Sequence, residues 1–180
     1  MSEQAVGVPW EINEHRRLGN ACYTAASTAE RGSSLEDFVA YCFSAFPGLT
    51  LIGQDMRMGS QELDLVFWND QVADYFRSAG PEIIVECKNW DAPVGSAEVA
   101  WFLEKMRQRH VTHGFLVTRN GVTGEFRDGR DGALDTLYLA LRDGARPVVV
   151  TLDDLLLVSD PAALLTVFKS KIGRLFMRRI

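Results

Sequence analysis

Cysteine is scarce in this chain: Cys22, Cys42 and Cys87 are its three, with no CxxC spacing between them. An odd, scattered set in apolar contexts offers no disulfide framework and points to reduced thiols in a cytoplasmic protein. Histidine is as sparse, and neither His110 nor His113 has a cysteine or further histidine at ligand spacing. Surface or packing roles are expected for both rather than zinc. No apolar run approaches the roughly 18 residues a membrane span needs. The opening MSEQAVGVPWEINEHRR lacks the basic start and apolar block of a secretion signal. GxSxG, the P-loop and a strand-borne GxGxxG are missing, as are internal repeats, low-complexity tracts and long linkers.

Surplus positive charge is lacking too. The formal net charge is −5, which argues against passive, tight binding to nucleic acid. The distribution softens this. From residue 169 onward the charged residues are Lys169, Lys171, Arg174, Arg178 and Arg179, all basic. A protein that holds a cation also gathers carboxylates, which count as negative until the cation arrives.

What is present suits one soluble domain: 180 residues, 47% hydrophobic and 24% charged, enough to bury a proper core. Residues 10–31 have helical character. Gly32-Ser33-Ser34 is expected to break the chain, with Ser34 or Ser33 capping a helix that carries Glu36 and Asp37 in its first turn. Phe38, Val39, Cys42, Phe43 and Phe46 mark that helix's buried face before Pro47-Gly48 ends it. Strands are predicted over 49–57, 61–68 and 82–88, with a turn at Gly59-Ser60 and a polar connection over 69–81. Then come a helix over 95–110, a buried strand over 112–118, a helix over 131–143, a strand over 146–152, a short helix opened by Asp153-Asp154 and a last helix over 161–178. Strands separated by helices imply parallel pairing in a layered α/β core.

The most informative stretch is residues 82–90, EIIVECKNW. Side chains alternate across a strand, so Glu86 and Lys88 share one face and Cys87 takes the other. A second strand, QELDLVFW, carries Asp64. Together these spell Asp-x21-Glu-x-Lys, the acid set of metal-dependent phosphodiester hydrolases. The triplet alone is weak and by itself favours the reading of a surface ion pair. Its place at the end of an apolar strand, beside a second acid-bearing strand, gives it weight.

The chain resembles the PD-(D/E)xK nucleases, and within them the Mrr-like restriction endonuclease domains. The residues that carry the resemblance are Leu35-Glu36-Asp37-Phe38-Val39, Glu62-Leu63-Asp64-Leu65-Val66, Val85-Glu86-Cys87-Lys88-Asn89-Trp90, Gly114-Phe115-Leu116-Val117-Thr118 and Asn120-Gly121-Val122-Thr123. Leu63 stands where the pattern has proline. The resemblance implies a restriction-endonuclease-like fold, a mixed sheet of about five strands flanked by helices. It divides the chain into an N-terminal helical segment (1–32), a nuclease core (33–158) and a basic amphipathic C-terminal helix (159–180) that packs on the core or on a second subunit. It implies a Mg2+-dependent DNA endonuclease, with Mn2+ as substitute ion, in bacterial restriction or phage defence.

Roles follow. Asp64 and Glu86 would give Mg2+ hard carboxylate oxygens and Cys87 its carbonyl, and Lys88 would hold or deprotonate the attacking water and stabilise the transition state. The resemblance makes Glu36 an additional acid of the site. Its competing reading is a first-turn acid favouring the helix dipole, and Asp37 is its neighbour in contention. Glu62 reads as a strand-edge charge and Trp90 as a core or lid aromatic. Ser96 reads as the cap of its helix, whose N-terminus is open to a phosphate. Arg119 and Asn120 reach DNA or form a plain turn. Lys105, Arg107 and Arg109 read as a solvated face. Two other functions stay open: a non-catalytic nuclease-fold module binding nucleic acid or a partner protein, and an RNA-directed nuclease. Double-strand cleavage needs two sites, so a homodimer is expected, and a partner protein is a second source of specificity. No membrane association is expected.

Overall fold

The computed structural model describes residues 7–59, 61–124 and 132–177. Helices α1 (Ile12–Thr24) and α2 (Thr28–Ser44) come first, followed by strands β1 (Leu49–Met58), β2 (Gln61–Asn69) and β3 (Glu82–Lys88). The chain then alternates through α3 (Ser96–Gln108), β4 (His113–Thr118), α4 (Ala133–Arg142) and β5 (Arg146–Thr151), and ends with α5 (Leu152–Leu156) and α6 (Pro161–Met177). The predicted 131–143 and 161–178 helices each extend beyond the described residues at one end.

The strands form one sheet in the order β1-β2-β3-β4-β5. Connection length decides direction. β1, β2 and β3 are joined without helices and pair antiparallel, whereas β3, β4 and β5 are joined through α3 and α4 and pair parallel. The sheet is therefore mixed, as the resemblance implied.

Both faces are covered. On one, Leu65, Phe67, Val85, Phe115 and Val117 pack against Phe38 and Phe43 of α2, Leu155 of α5 and Phe168 of α6. Phenylalanines tie this layer together, with ring centroids of Phe115 at 4.9 Å from Phe43 and 4.7 Å from Phe168. On the other, Val66, Ile84 and Leu116 meet Val99, Phe102 and Met106 of α3 and Leu137 and Leu141 of α4. Burial on both sides is why β4 reads as an unbroken apolar run. In α6, Leu164 and Phe168 sit in the first layer and Leu175 in the second, so this helix packs on its own chain's core. Among the described residues no helix is long and apolar enough to cross a membrane.

One local expectation fails. Helix α2 begins ahead of Gly32-Ser33-Ser34 and runs through it. Ser27 is its cap, its hydroxyl accepting from the Glu30 amide while the Glu30 carboxylate accepts from the Ser27 amide. This reciprocal box contributes about 1 kcal/mol, comparable with the roughly 1 kcal/mol that Gly32 costs inside a helix. Ser33 is accommodated within the helix with its hydroxyl donating back to the Ala29 and Glu30 carbonyls, at a slight cost. The anticipated division at residue 32 thus falls within a continuous helix. It also places Glu36 more than two turns inside, where neither capping nor the helix dipole accounts for an acid.

Candidate active site

The main-chain ladder of β2 and β3 runs from Trp68↔Glu82 to Leu65↔Val85. One residue further, a side chain takes over: Oδ2 of Asp64 accepts from the Cys87 amide at 2.7 Å. The strands part there, and the gap is lined by the residues that the sequence motif singles out. Glu86 and Lys88 lie on the α3 side of the sheet. The Cys87 thiol points the other way, into the phenylalanine layer, where burial drives its pKa far up. Cys87 therefore serves this face only through its main chain.

Lys88 Nζ stands 2.7 Å from Oε1 of Glu86 and 3.5 Å from Oδ2 of Asp64. The indole of Trp90 lies 5.9 Å away and is partly exposed rather than in the core. A cleft of about 390 Å³ opens here, lined by Glu62, Asp64, Glu86, Lys88, Trp101 and Lys105 among others. Two larger cavities, about 460 and 670 Å³, lie elsewhere and are lined largely by apolar groups. The smaller cleft is the candidate site because it alone of the three gathers buried charge on strand ends.

Electrostatics follow from that burial. Asp64 is raised above the ordinary carboxylate range, first by burial and then by the Glu86 charge; Lys88, the Cys87 amide and Lys105 oppose this without cancelling it. Burial works against the Lys88 ammonium, but Glu86 and Asp64 outweigh it and its pKa ends raised. At neutral pH Lys88 is thus a cation.

Glu36 is buried while Asp37, one residue on, is exposed and accepts from the Gln54 amide at 3.1 Å. Burial, then the charges of Asp55 and Asp64, push Glu36 to about 7. Asp55 has a positive φ of 50° and sits between Gln54 and Met56, whose ladder partners Leu65 and Leu63 bracket Asp64. Carboxylates from three different elements thus meet near Glu36, which Asp55 and Asp64 push upward.

The remaining expectations divide. Ser96 is not the cap of α3: Gly95 is, without a side-chain bond. The parallel bridge of Val94 to Val122 fixes the chain just ahead and makes Ser96 the first helical residue. Asn120 is exposed but its amide is spent on its own chain, donating to the carbonyls of Trp90 and Asp91 at 3.1 and 2.9 Å. Arg119 pairs with Asp91 at 3.0 Å and lies over the Tyr23 ring. Both residues fasten the loop after β3. Glu62 is exposed and near Arg57.

Lys105 is the plainest correction. Instead of joining a solvated face, it is 3% exposed and donates to Oε2 of Glu86 at 2.6 Å. Arg109 likewise bonds Glu82, while Arg107 is exposed and pairs with Glu104 on its own helix. The signal for Lys105 was its place: three residues after Phe102 and one before Met106, on the side of α3 that faces the sheet.

Among the described residues no three Asp, Glu, His or Cys side chains close into a ready cation cage. The donor chemistry nonetheless fits a hard divalent ion. The acids here are oxygen donors short of positive charge, and Oε2 of Glu36 is buried without a hydrogen-bond partner.

The Mrr_cat restriction endonuclease family model matches residues 30–146. No curated protein matches the chain. The match spans well over half of the sequence, and the chain belongs to the restriction endonuclease family.

Proposed function

We propose that this member of the restriction endonuclease family is a divalent-metal-dependent endonuclease that hydrolyses phosphodiester bonds in DNA, with Mg2+ as its ion, Mn2+ as substitute, and bacterial restriction or phage defence as its setting. The observation that carries the reading is the convergence of Asp64, Glu86 and Lys88 in one cleft where β2 and β3 part.

Asp64 and Glu86 would hold the ion through carboxylate oxygens, with the Cys87 carbonyl and Glu36 completing its surroundings. The ion, when bound, acidifies the attacking water and neutralises charge on the scissile phosphate. Lys88, kept cationic by its two acids, is suited to stabilising a phosphate oxygen in the transition state and poorly suited to accepting a proton. The N-terminus of α3 lacks a side-chain cap at Gly95, which leaves its first-turn amides to face a backbone phosphate near Ser96. Arg119 and Asn120 contribute by fixing the loop that presents Trp90. Two such clefts are needed for double-strand cleavage, so the reading includes a homodimer or a partner protein.

One observation favours a second reading, a non-catalytic module that binds nucleic acid or a partner: both oxygens of Glu86 are already engaged by lysines. One experiment separates the two. Duplex DNA, single-stranded DNA and RNA are incubated with the protein in Mg2+, Mn2+, Ca2+ or EDTA. Cleavage of DNA in Mg2+ and Mn2+, with binding but no cutting in Ca2+, is expected because Ca2+ activates water poorly. Undiminished cutting in EDTA rejects the metal mechanism. Binding without cutting in every ion leaves the second reading.

A further inference from the structure

The nuclease reading leaves the buried lysine of the cleft without a task. Lys105 comes from α3, with Phe102 and Met106 beside it anchored in the core. Its ammonium meets Oε2 of Glu86 at 2.6 Å while Lys88 meets Oε1 at 2.7 Å. Neutralising one carboxylate takes one lysine, so the second needs an explanation. The two are not equivalent. The Lys105 side chain is 3% exposed and that of Lys88 is 20% exposed. Lys105 is enclosed by its helix and the sheet, and a lysine that deep is rare without a partner it must hold. Lys88 opens to the cleft and has other places to go: Asp64 at 3.5 Å and the Trp90 ring at 5.9 Å.

Resting on the nuclease reading, we propose that Lys105 is a positioning residue. It fixes Glu86 by Oε2 and balances its charge permanently. Lys88 is thereby free to leave Oε1 for the substrate phosphate without stranding a buried carboxylate, and Oε1 is the oxygen left turned to the cleft. The two lysines divide the work: one holds the acid and the other moves.

The test compares wild type with Lys105→Met and Lys105→Arg in three measurements: thermal melting, Mn2+ binding by calorimetry without nucleic acid, and steady-state cleavage of duplex DNA below all melting temperatures. For Lys105→Met, kcat is expected to fall by about tenfold or more, as for a mispositioned reacting group, with KM for DNA held within about twofold. Mn2+ binding should tighten, because a positive charge is gone from beside Glu86. Lys105→Arg, which keeps the cation, should regain part of the turnover. A purely structural lysine would lower melting temperature and move neither the kcat-to-KM split nor Mn2+ affinity. If Lys105→Met melts too low to assay, Lys105→Gln keeps a donor to Oε2 and carries the same comparison. Turnover like wild type in the Met or Gln variant overturns the inference. So does a loss of turnover with unchanged Mn2+ binding and no recovery by arginine. A wild type that cuts nothing in any ion defeats the nuclease reading itself, and this inference with it.

Discussion

Asp64 replaces a rung of the sheet for Cys87: its carboxylate accepts the Cys87 amide at 2.7 Å, one residue past the last main-chain pair of β2 and β3. The same side chain therefore closes the fold and opens the site. Charge and hydrogen-bonding capacity are separable by substitution. Asp64→Asn keeps an oxygen for the amide and removes the charge. It is expected to melt at or above wild type, because repulsion from Glu86 is relieved, and to lose cleavage by about 10²-fold or more. Asp64→Ala strands a buried amide, at a cost of about 1–3 kcal/mol, and should melt lower. Melting curves and cleavage rates on the two variants check this. An Asn variant that cuts normally removes Asp64 from the chemistry.

Glu36 and Asp37 make a second paired comparison. Glu36 is buried near Asp55 and Asp64, whereas Asp37 is exposed on Gln54. Glu36→Gln should raise the Mg2+ concentration needed for half-maximal cleavage, with partial rescue by excess Mg2+ or by Mn2+. Asp37→Asn should behave as wild type. A metal-free readout accompanies this. The folded pKa of Glu36, about 7, exceeds its ordinary value of 4.5, so the native state binds the proton more tightly. Stability should fall as pH rises from about 4.5 through about 7, and the fall should be shallower in Glu36→Gln. A metal defect that tracks Asp37 instead would reassign the acid.

The start of α2 is testable without any activity. Ser27→Ala breaks the capping box and should cost about 1 kcal/mol by denaturant unfolding. Ser33→Ala, in the stretch that reads as a helix start, should cost little or stabilise, since it ends back-bonding inside the helix. The reverse order of effects would put the helix start back at residue 33.

These residues also show what could be read from sequence. The end of β3 was legible because an apolar run leading into Glu86-x-Lys88 is an unusual place for solvated charge. The buried face of α2 was legible because Phe38, Val39, Cys42 and Phe43 repeat at helical spacing. The start of α2 was not, since a glycine and two serines resemble a break and only the Ser27–Glu30 pairing, which begins five residues before Gly32, says otherwise. Lys105 was misread because Arg107 and Arg109 nearby make it look like one of a charged row; its partner Glu86 lies across a helix–sheet interface that no local pattern reports. The role of Asp55, and the contacts that tie Arg119 and Asn120 to the loop after β3, likewise depend on distant segments.

His15 supplies a pH dependence away from the cleft. Its ring is buried between Trp10 and Phe38, with centroids at 4.6 and 5.0 Å, and Nε2 donates to the Leu155 carbonyl at 2.9 Å. Nδ1 is buried without a partner, so a second proton would have no acceptor. Burial lowers the pKa below the ordinary 6.5, and the Leu155 bond only partly offsets it. The sign follows: the unfolded chain binds the proton more readily, so stability rises with pH across this window. The contribution of neutral His15 is complete above about 6.5 and is lost as pH falls through the lower folded value. His15→Gln retains a donor for Leu155 and cannot titrate. Wild type should be the more stable protein at pH 7.5, and its advantage should shrink or reverse by pH 5. Melting temperatures of the pair measured across that range decide it. Parallel curves would mean that His15 does not gain a proton within the folded protein's stable range, and that the acid sensitivity of the fold lies elsewhere.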